Sequence, residues 1–273
     1  MPFPVKPKQY LDIYLGEKNM TQQFTHLHVH SQFSLLDGQA SIKALVDKAK
    51  GNGMKGIALT DHGSMFGVKE FYNYVSKQNK GAQKDIKDLK SKLKELTNSA
   101  DESNAQAVAE IQQQLLEKEE QLFKPIIGCE MYVAPRGMEM KEGRPDQGGY
   151  HLVVLAKDKV GYHNLIKLVS RAWTKGFYMR PRTDREDLEK YREGLIVSSA
   201  CLGGEIPRRI RENKIDEAKE AIQWFQKVFG EDFYIELQRH KATVPRANHE
   251  TFLIQEKTKE DLIALAKEFN VKV

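Results

Sequence analysis

Short apolar runs alternate with amphipathic stretches along most of this chain. Runs near 24–30, 57–60, 126–133, 151–156, 195–199 and 233–238 read as strands. Stretches near 41–51, 65–79, 162–173, 205–212, 215–229 and 257–269 carry apolar residues at three- and four-residue steps and read as helices. A helix between successive strands is the usual crossover that lets neighbours run parallel. The pattern therefore restricts the fold to the α/β class, either an open doubly wound sheet or a closed barrel. With 273 residues, 40% of them hydrophobic, the chain can bury a large core as one barrel-sized domain or two smaller ones.

The polar residues that interrupt this pattern gather at strand ends. In Thr25-His26-Leu27-His28-Val29-His30 alternate side chains of an extended strand share a face, so His28 and His30 point one way while Leu27 and Val29 pack behind them. Asp37 follows, and a second pair stands after an apolar strand in Thr60-Asp61-His62-Gly63. Imidazole mixed with carboxylate suits zinc, manganese or iron, and favours a hydrolytic centre with open positions over a closed structural zinc site. The competing reading is a strand that is merely polar, since His26 shares its face; the Asp61-His62 pair shifts the balance toward metal. His30, His62, Cys201 and His240 each fall at or just after a strand end, as in a site built on the carboxyl rim of a barrel. His151 is out of place there, because it precedes its strand.

No apolar run approaches the length of a membrane span, and no short apolar leader opens the chain, so a soluble, cytoplasmic protein is expected, with no membrane partner. Cys129 and Cys201 are the only cysteines and lie far apart, which argues against a disulfide framework. The net charge of +5 is compatible with a phosphate-bearing substrate or nucleic acid and requires neither.

Residues 80–124 break the rhythm. Ile86, Leu89, Leu93 and Leu96, then Val108, Ile111, Leu115 and Leu122, recur at helical steps around a polar turn from Thr97 to Asn104. The first arm is lysine-rich and the second acidic, so an inserted helical hairpin whose arms attract one another is expected, with a docking or DNA-contacting arm as the alternative. Residues 1–21 read as an N-terminal extension or a remnant of expression, with Met20 as an alternative start.

Several ordered motifs are similar to one known family. His28-Val29-His30-Ser31, Ser34-Leu35-Leu36-Asp37-Gly38, Ala58-Leu59-Thr60-Asp61-His62-Gly63, Lys124-Pro125-Ile126-Ile127-Gly128-Cys129-Glu130 and Ser198-Ser199-Ala200-Cys201-Leu202-Gly203 resemble the polymerase and histidinol phosphatase (PHP) domain. Gly161-Tyr162-His163-Asn164-Leu165 and Gly176-Phe177-Tyr178 narrow the resemblance to the version carried at the amino terminus of bacterial replicative DNA polymerase III alpha subunits. The resemblance covers residues 22–273 apart from the hairpin. It implies a distorted seven-stranded (β/α) barrel holding divalent ions, zinc or manganese, in a cleft at its rim, with magnesium serving the parent polymerase. Position by position, His28, His30, Asp37, His62, Glu130, His151 and Cys201 match the family's ligands. The family's last pair, an Asp-x-His after one more strand, has no counterpart before Val273, and thumb, palm and fingers are absent. A barrel incomplete at its C-terminus, unable to polymerise DNA by itself and nearly inactive as a hydrolase, is expected. The implied partners are DNA, the remaining polymerase domains of the parent chain and replisome subunits such as an exonuclease subunit.

Each residue also has a plainer reading. Glu130 alternates with Cys129 and Met131, and a carboxylate facing a barrel interior needs a cation, which makes Cys129 a small core residue. Cys201 serves as a thiolate ligand or as core, and His240 as a further ligand or none. Asp37 either binds metal or starts a turn with Gly38; Asp61 joins His30 and His62 as a catalytic candidate or orients His62 from behind. Arg171, Lys175, Arg180 and Arg182 form a phosphate- or DNA-binding group or simply a solvated basic face. The expected chemistry is metal-assisted phosphoester hydrolysis, as 3′-to-5′ exonucleolytic proofreading or pyrophosphate hydrolysis. The alternative is a non-catalytic scaffold, stapled by metal, that supports the polymerase core and holds the exonuclease subunit.

Overall fold

The computed structural model describes residues 24–98, 104–241 and 249–273. The extension at 1–21 and most of the hairpin turn lie outside them. Six strands, β1 (Gly56–Leu59), β2 (Lys124–Val133), β3 (Tyr150–Ala156), β4 (Arg182–Thr183), β5 (Leu195–Ser198) and β6 (Phe233–Tyr234), form one sheet in the order β1-β2-β3-β5-β6, with β4 on β2. Among the described residues this sheet does not close. Among the described residues eight α-helices accompany it: α1 (Ile42–Gly51), α2 (Val68–Asn98), α3 (Ala105–Glu120), α4 (Lys159–Thr174), α5 (Arg185–Lys190), α6 (Glu205–Arg211), α7 (Ile215–Phe229) and α8 (Glu250–Glu268). Sequence-local signals set several starts: Ser41, Asp158 and Asp184 cap α1, α4 and α5 by accepting backbone N–H bonds. Among the described residues no helix is long and apolar enough to cross a membrane.

The sheet is mixed, which corrects the all-parallel expectation. β1–β2, β2–β4 and β5–β6 are parallel, but β3 runs antiparallel to both β2 and β5. The β2–β3 connection, residues 134–149, carries only a short 3₁₀ turn at Arg144–Asp146 and no crossover helix, so the chain simply returns. A buried strand has the same apolar run in either direction, so its direction is invisible locally.

Alternation on these strands sets up an outer and an inner face. Cys129, Met131 and Val133 of β2, with Leu152 and Val154 of β3, pack outward in one core with Leu165 and Leu168 of α4 and Ile222 and Phe225 of α7. Val153 and Leu155 pack inward with Ala58 and Ala200. A second core joins Ile42 and Val46 of α1 to Leu59, Phe71 and Val75. Both faces of the sheet are therefore covered, and the inner row ends in Glu130 and His151.

Two expected elements differ. Residues 24–30 form no regular strand: beside them Ala58 N of β1 donates to His26 O (2.8 Å) and Thr60 N, just past β1, to Val29 O (2.9 Å). The Thr60 hydroxyl takes the Val29 N–H at 2.7 Å and interrupts the ladder just before His30. The 233–238 run keeps only Phe233–Tyr234 as a strand; beyond it Ile235 donates to Lys272 O at 2.9 Å, which brings the last residues beside β6. The helix expected at 65–79 continues unbroken to Asn98, so the lysine-rich arm prolongs α2. It pairs with α3 through Lys90–Glu119 (2.9 Å) and Lys118–Asp85 (2.7 Å).

Candidate metal centre

Glu130 is the hub. Its side chain is 2% exposed, on the inner face at the carboxyl end of β2, and four imidazoles surround it. His28 Nε2 lies 3.2 Å and His151 Nδ1 3.0 Å from Oε1; His30 Nε2 lies 2.8 Å and His62 Nδ1 3.6 Å from Oε2. Pairing places each ring. Beyond Leu59 a bridge joins His62 to Glu130, with Gly63 N donating to Glu130 O at 2.7 Å. His151 faces Tyr132 in register because β3 is antiparallel, so the amino end of β3 lies at the carboxyl end of β2. The apparent misfit of His151 is thereby resolved.

Three residues complete the ring around this group. Asp37 Oδ2 lies 2.8 Å from His62 Nδ1, whose ring stacks on Tyr132 with centroids 4.2 Å apart. Cys201 Sγ lies 3.3 Å from His151 Nδ1 and 3.6 Å from Glu130 Oε1. It follows Ala200, held at φ 57°, a left-handed conformation that turns the chain off β5. Gly203 backs this corner: a Cβ there would meet the His151 ring at 2.9–3.1 Å. Glu236 binds the far side of His28, its Oε1 2.7 Å from Nδ1, while Oε2 accepts from the Ser198 hydroxyl at 2.6 Å. A carboxylate on the outer nitrogen of a ligand histidine fixes ring orientation and tautomer. Sequence reading missed Glu236, although a lone carboxylate in Phe-Tyr-Ile-Glu-Leu is the same signal as Glu130 in Gly-Cys-Glu-Met.

The electrostatics reflect this crowding. Burial opposes ionisation of Glu130, yet hydrogen bonds from His151, His28 and His30 hold its carboxyl far below the usual range. Burial likewise disfavours charge on His28, but hydrogen bonds to Glu130 and Glu236 raise it to about 10. His151 rises to about 9 against its burial, through Cys201 and Glu130. His62 is lowered, chiefly by burial, and stays neutral.

These donors fit divalent cations. Two groups, His28–His30–Glu130 and His62–Glu130–His151, each bring one ligand atom per residue within 4.8 Å of the others, and Glu130 belongs to both. Ligand atoms about 2.1 Å from a tetrahedral ion sit roughly 3.4 Å apart, close to the spacings seen here. The buried Nε2 of His62 has no hydrogen-bond partner among the described residues, which is costly for a buried nitrogen and natural for a ligand.

The other candidates lie apart from the hub. Asp61 is 1% exposed and accepts from Ser31 N and from the Ser31 and Ser34 hydroxyls at 2.7–2.9 Å. Ser34 in turn accepts from His62 N, so Asp61 shapes the turn after His30 rather than facing the cluster. His240 is exposed and bonds Gln255 through both N–H and ring, with no contact to Glu130. Arg182, expected to receive phosphates, is wholly buried and donates to the carbonyls of Gly176, Asp146, Met138 and Met140. Arg171 is paired to Asp187 at 2.6 Å, and Lys175 is exposed on the far end of α4. Of the four basic residues only Arg180 joins the cleft beside His62, its guanidinium 5.8 Å from the Tyr132 ring centroid.

The mixed α/β sheet thus ends in a cluster of histidines around one shared carboxylate that could hold metal ions. The sequence profile of the PHP domain matches residues 26–240, and the chain belongs to that family. DNA polymerase III subunit alpha of Borreliella burgdorferi is 44% identical over 220 residues, 80% of this chain and 15% of that protein. The corresponding subunits of Thermus aquaticus (38% over 222 residues; 80% of this chain, 15% of that protein) and Campylobacter jejuni (33% over 261; 92% and 17%) are also similar. The chain thus spans about a sixth of the length of these relatives.

Proposed function

We propose that this domain is a metal-dependent phosphoesterase borne by a replicative DNA polymerase, acting on 3′ phosphodiesters of single-stranded DNA or on pyrophosphate. The observation that carries the reading is Glu130, a buried carboxylate common to two histidine groups. Such sharing is how a protein sets two ions at the separation that clamps both the attacking and the leaving oxygen. We read the fold as the family's distorted barrel, with residues 24–30 and 271–273 as its incomplete edge strands and the His28–Glu236 contact spanning the gap.

His28, His30, Glu130, His62 and His151, with Asp37 and Cys201 beside them, would hold zinc or manganese ions. When bound, these supply Lewis acidity at neutral pH and neutralise charge developing on the phosphoryl oxygens. The chain's own residues set the geometry. Asp37 at Nδ1 and the stacked Tyr132 fix the orientation of the His62 ring, and Glu236 fixes that of His28. The relatives' names support DNA and the other polymerase domains as partners; a separate exonuclease subunit and a cytoplasmic location belong to the same proposal.

Metal-dependent hydrolysis of single-stranded DNA and of pyrophosphate tests this, on this chain and on one continued past Val273. His30→Ala should abolish turnover in whichever chain is active. Metal uptake without hydrolysis of either substrate in the longer chain would leave the scaffold reading in its place.

A further inference from the structure

Beside the metal centre runs a cleft of about 380 Å³ whose lining includes Asp37 and His62 at one end and Phe66, Trp173, Phe177 and Arg180 along it. Its aromatic wall is unusual for a surface. Phe66 is 63% exposed, Phe177 47% and Trp173 40%, although rings of this size normally sit in cores. They form a row: Phe66 and Trp173 have centroids 5.5 Å apart, and Trp173 and Phe177 5.7 Å apart at 23° between planes. The Trp173 indole N–H donates to Gly63 O at 2.8 Å, which ties the row to the residue next to His62. Leu36 and Met179, also exposed, border the same cleft.

We infer that this row is a stacking platform for the base of an unpaired terminal nucleotide whose phosphate lies toward the His62–Asp37 end. The inference rests on the phosphoesterase reading and names the substrate feature that site would select. Stacking on aromatic faces accepts any base, and Arg180 adds a guanidinium near the backbone path. A base inside a duplex is already stacked on its neighbours, so the platform selects single-stranded or frayed ends. Protein packed into the same cleft would cover Asp37 and His62, which favours a nucleotide as occupant. The volume also lies in the range of small-ligand sites, roughly 300–1,000 Å³.

The test uses the 273-residue chain with Trp224→Phe, which leaves Trp173 as its single tryptophan. Its fluorescence is titrated in chelator with a short oligothymidylate, with an abasic phosphodiester strand of equal length and with a blunt duplex. The oligothymidylate should quench Trp173 and bind more tightly than the other two. Phe177→Ala and Phe66→Ala, neither of which removes a hydrogen bond, should each weaken it by about 5- to 100-fold while leaving the abasic strand unchanged. Equal binding of the base-bearing and abasic strands, or equal losses for both in Phe177→Ala, overturns the inference and assigns the rings to contact with further protein. Because chelator removes turnover, the two readings fail separately. Base-dependent binding without metal-dependent hydrolysis sinks only the phosphoesterase, and hydrolysis with base-blind binding sinks only the platform.

Discussion

Glu130 and Arg182 are both buried charges at the carboxyl end of β2, one on that strand and one on its partner β4, and they are handled in opposite ways. Arg182 is 0% exposed, and four carbonyl oxygens accept from its guanidinium at 2.7–3.1 Å. Glu130 is met by four imidazoles, of which His62 keeps a buried nitrogen without a hydrogen-bond partner among the described residues. A charge satisfied by backbone is a brace: Arg182 pins the loops at Met138–Met140 and Asp146 to Gly176. A charge surrounded by more lone-pair donors than it can use is a site for a cation.

The difference is clearest when each charge is removed. Guanidinium cannot shed its proton, and losing it strands four buried carbonyls at about 1–3 kcal/mol each. Arg182→Met should therefore cost on the order of 5 kcal/mol or prevent folding, with no rescue by zinc or manganese, as urea denaturation would read. Imidazoles can deprotonate, so Glu130→Gln should alter the stability of chelated protein by less than about 2 kcal/mol. It should nevertheless weaken metal binding by roughly a hundredfold or more in calorimetric titration. Equal destabilisation by the two substitutions would erase the distinction between brace and site.

Smaller effects sharpen it. Glu236→Gln keeps a polar group on His28 Nδ1 but loses the charge, and should reduce metal affinity by about tenfold, since partners behind a ligand typically contribute 10- to 100-fold. The least expected change concerns the paired arms of α2 and α3. The α2 residues that join the core with α1, Val68, Phe71 and Val75, precede residue 82, as does Asn79, which holds Phe123 by two hydrogen bonds, whereas the buried Ile86 and Leu115 of the two arms belong to none of the core clusters. Replacing residues 82–122 with a short Gly/Ser linker should leave metal uptake unchanged and lower the melting temperature by only a few degrees, because exposed ion pairs contribute little and loop closure depends weakly on length.

The same contrast marks what was legible in the sequence. His28, His30, His62 and Glu130 stood out because polar residues broke apolar runs at strand ends, a local signal. Arg182 carries no such mark: it sits in a basic stretch, and only the fold reveals that loops from 138 to 176 close over it. The role of His151 depended on β3 running antiparallel, a property of the β2–β3 connection. Glu236 was readable by the rule that found Glu130, since it breaks the apolar run 233–238 in the same way. The helix of the lysine-rich arm was seen, but not its continuity with α2, since Gly81 reads as a break in the sequence and yet lies inside the unbroken helix.

Elemental analysis of the desalted protein after equilibration with manganese or zinc, with Glu130→Gln beside it, tests the central claim most directly. Two groups sharing Glu130 predict two ions per chain at saturation and a loss of both in the variant. Retention of the same ions without Glu130, or no ion bound to the wild type, would contradict a metal centre built on this carboxylate.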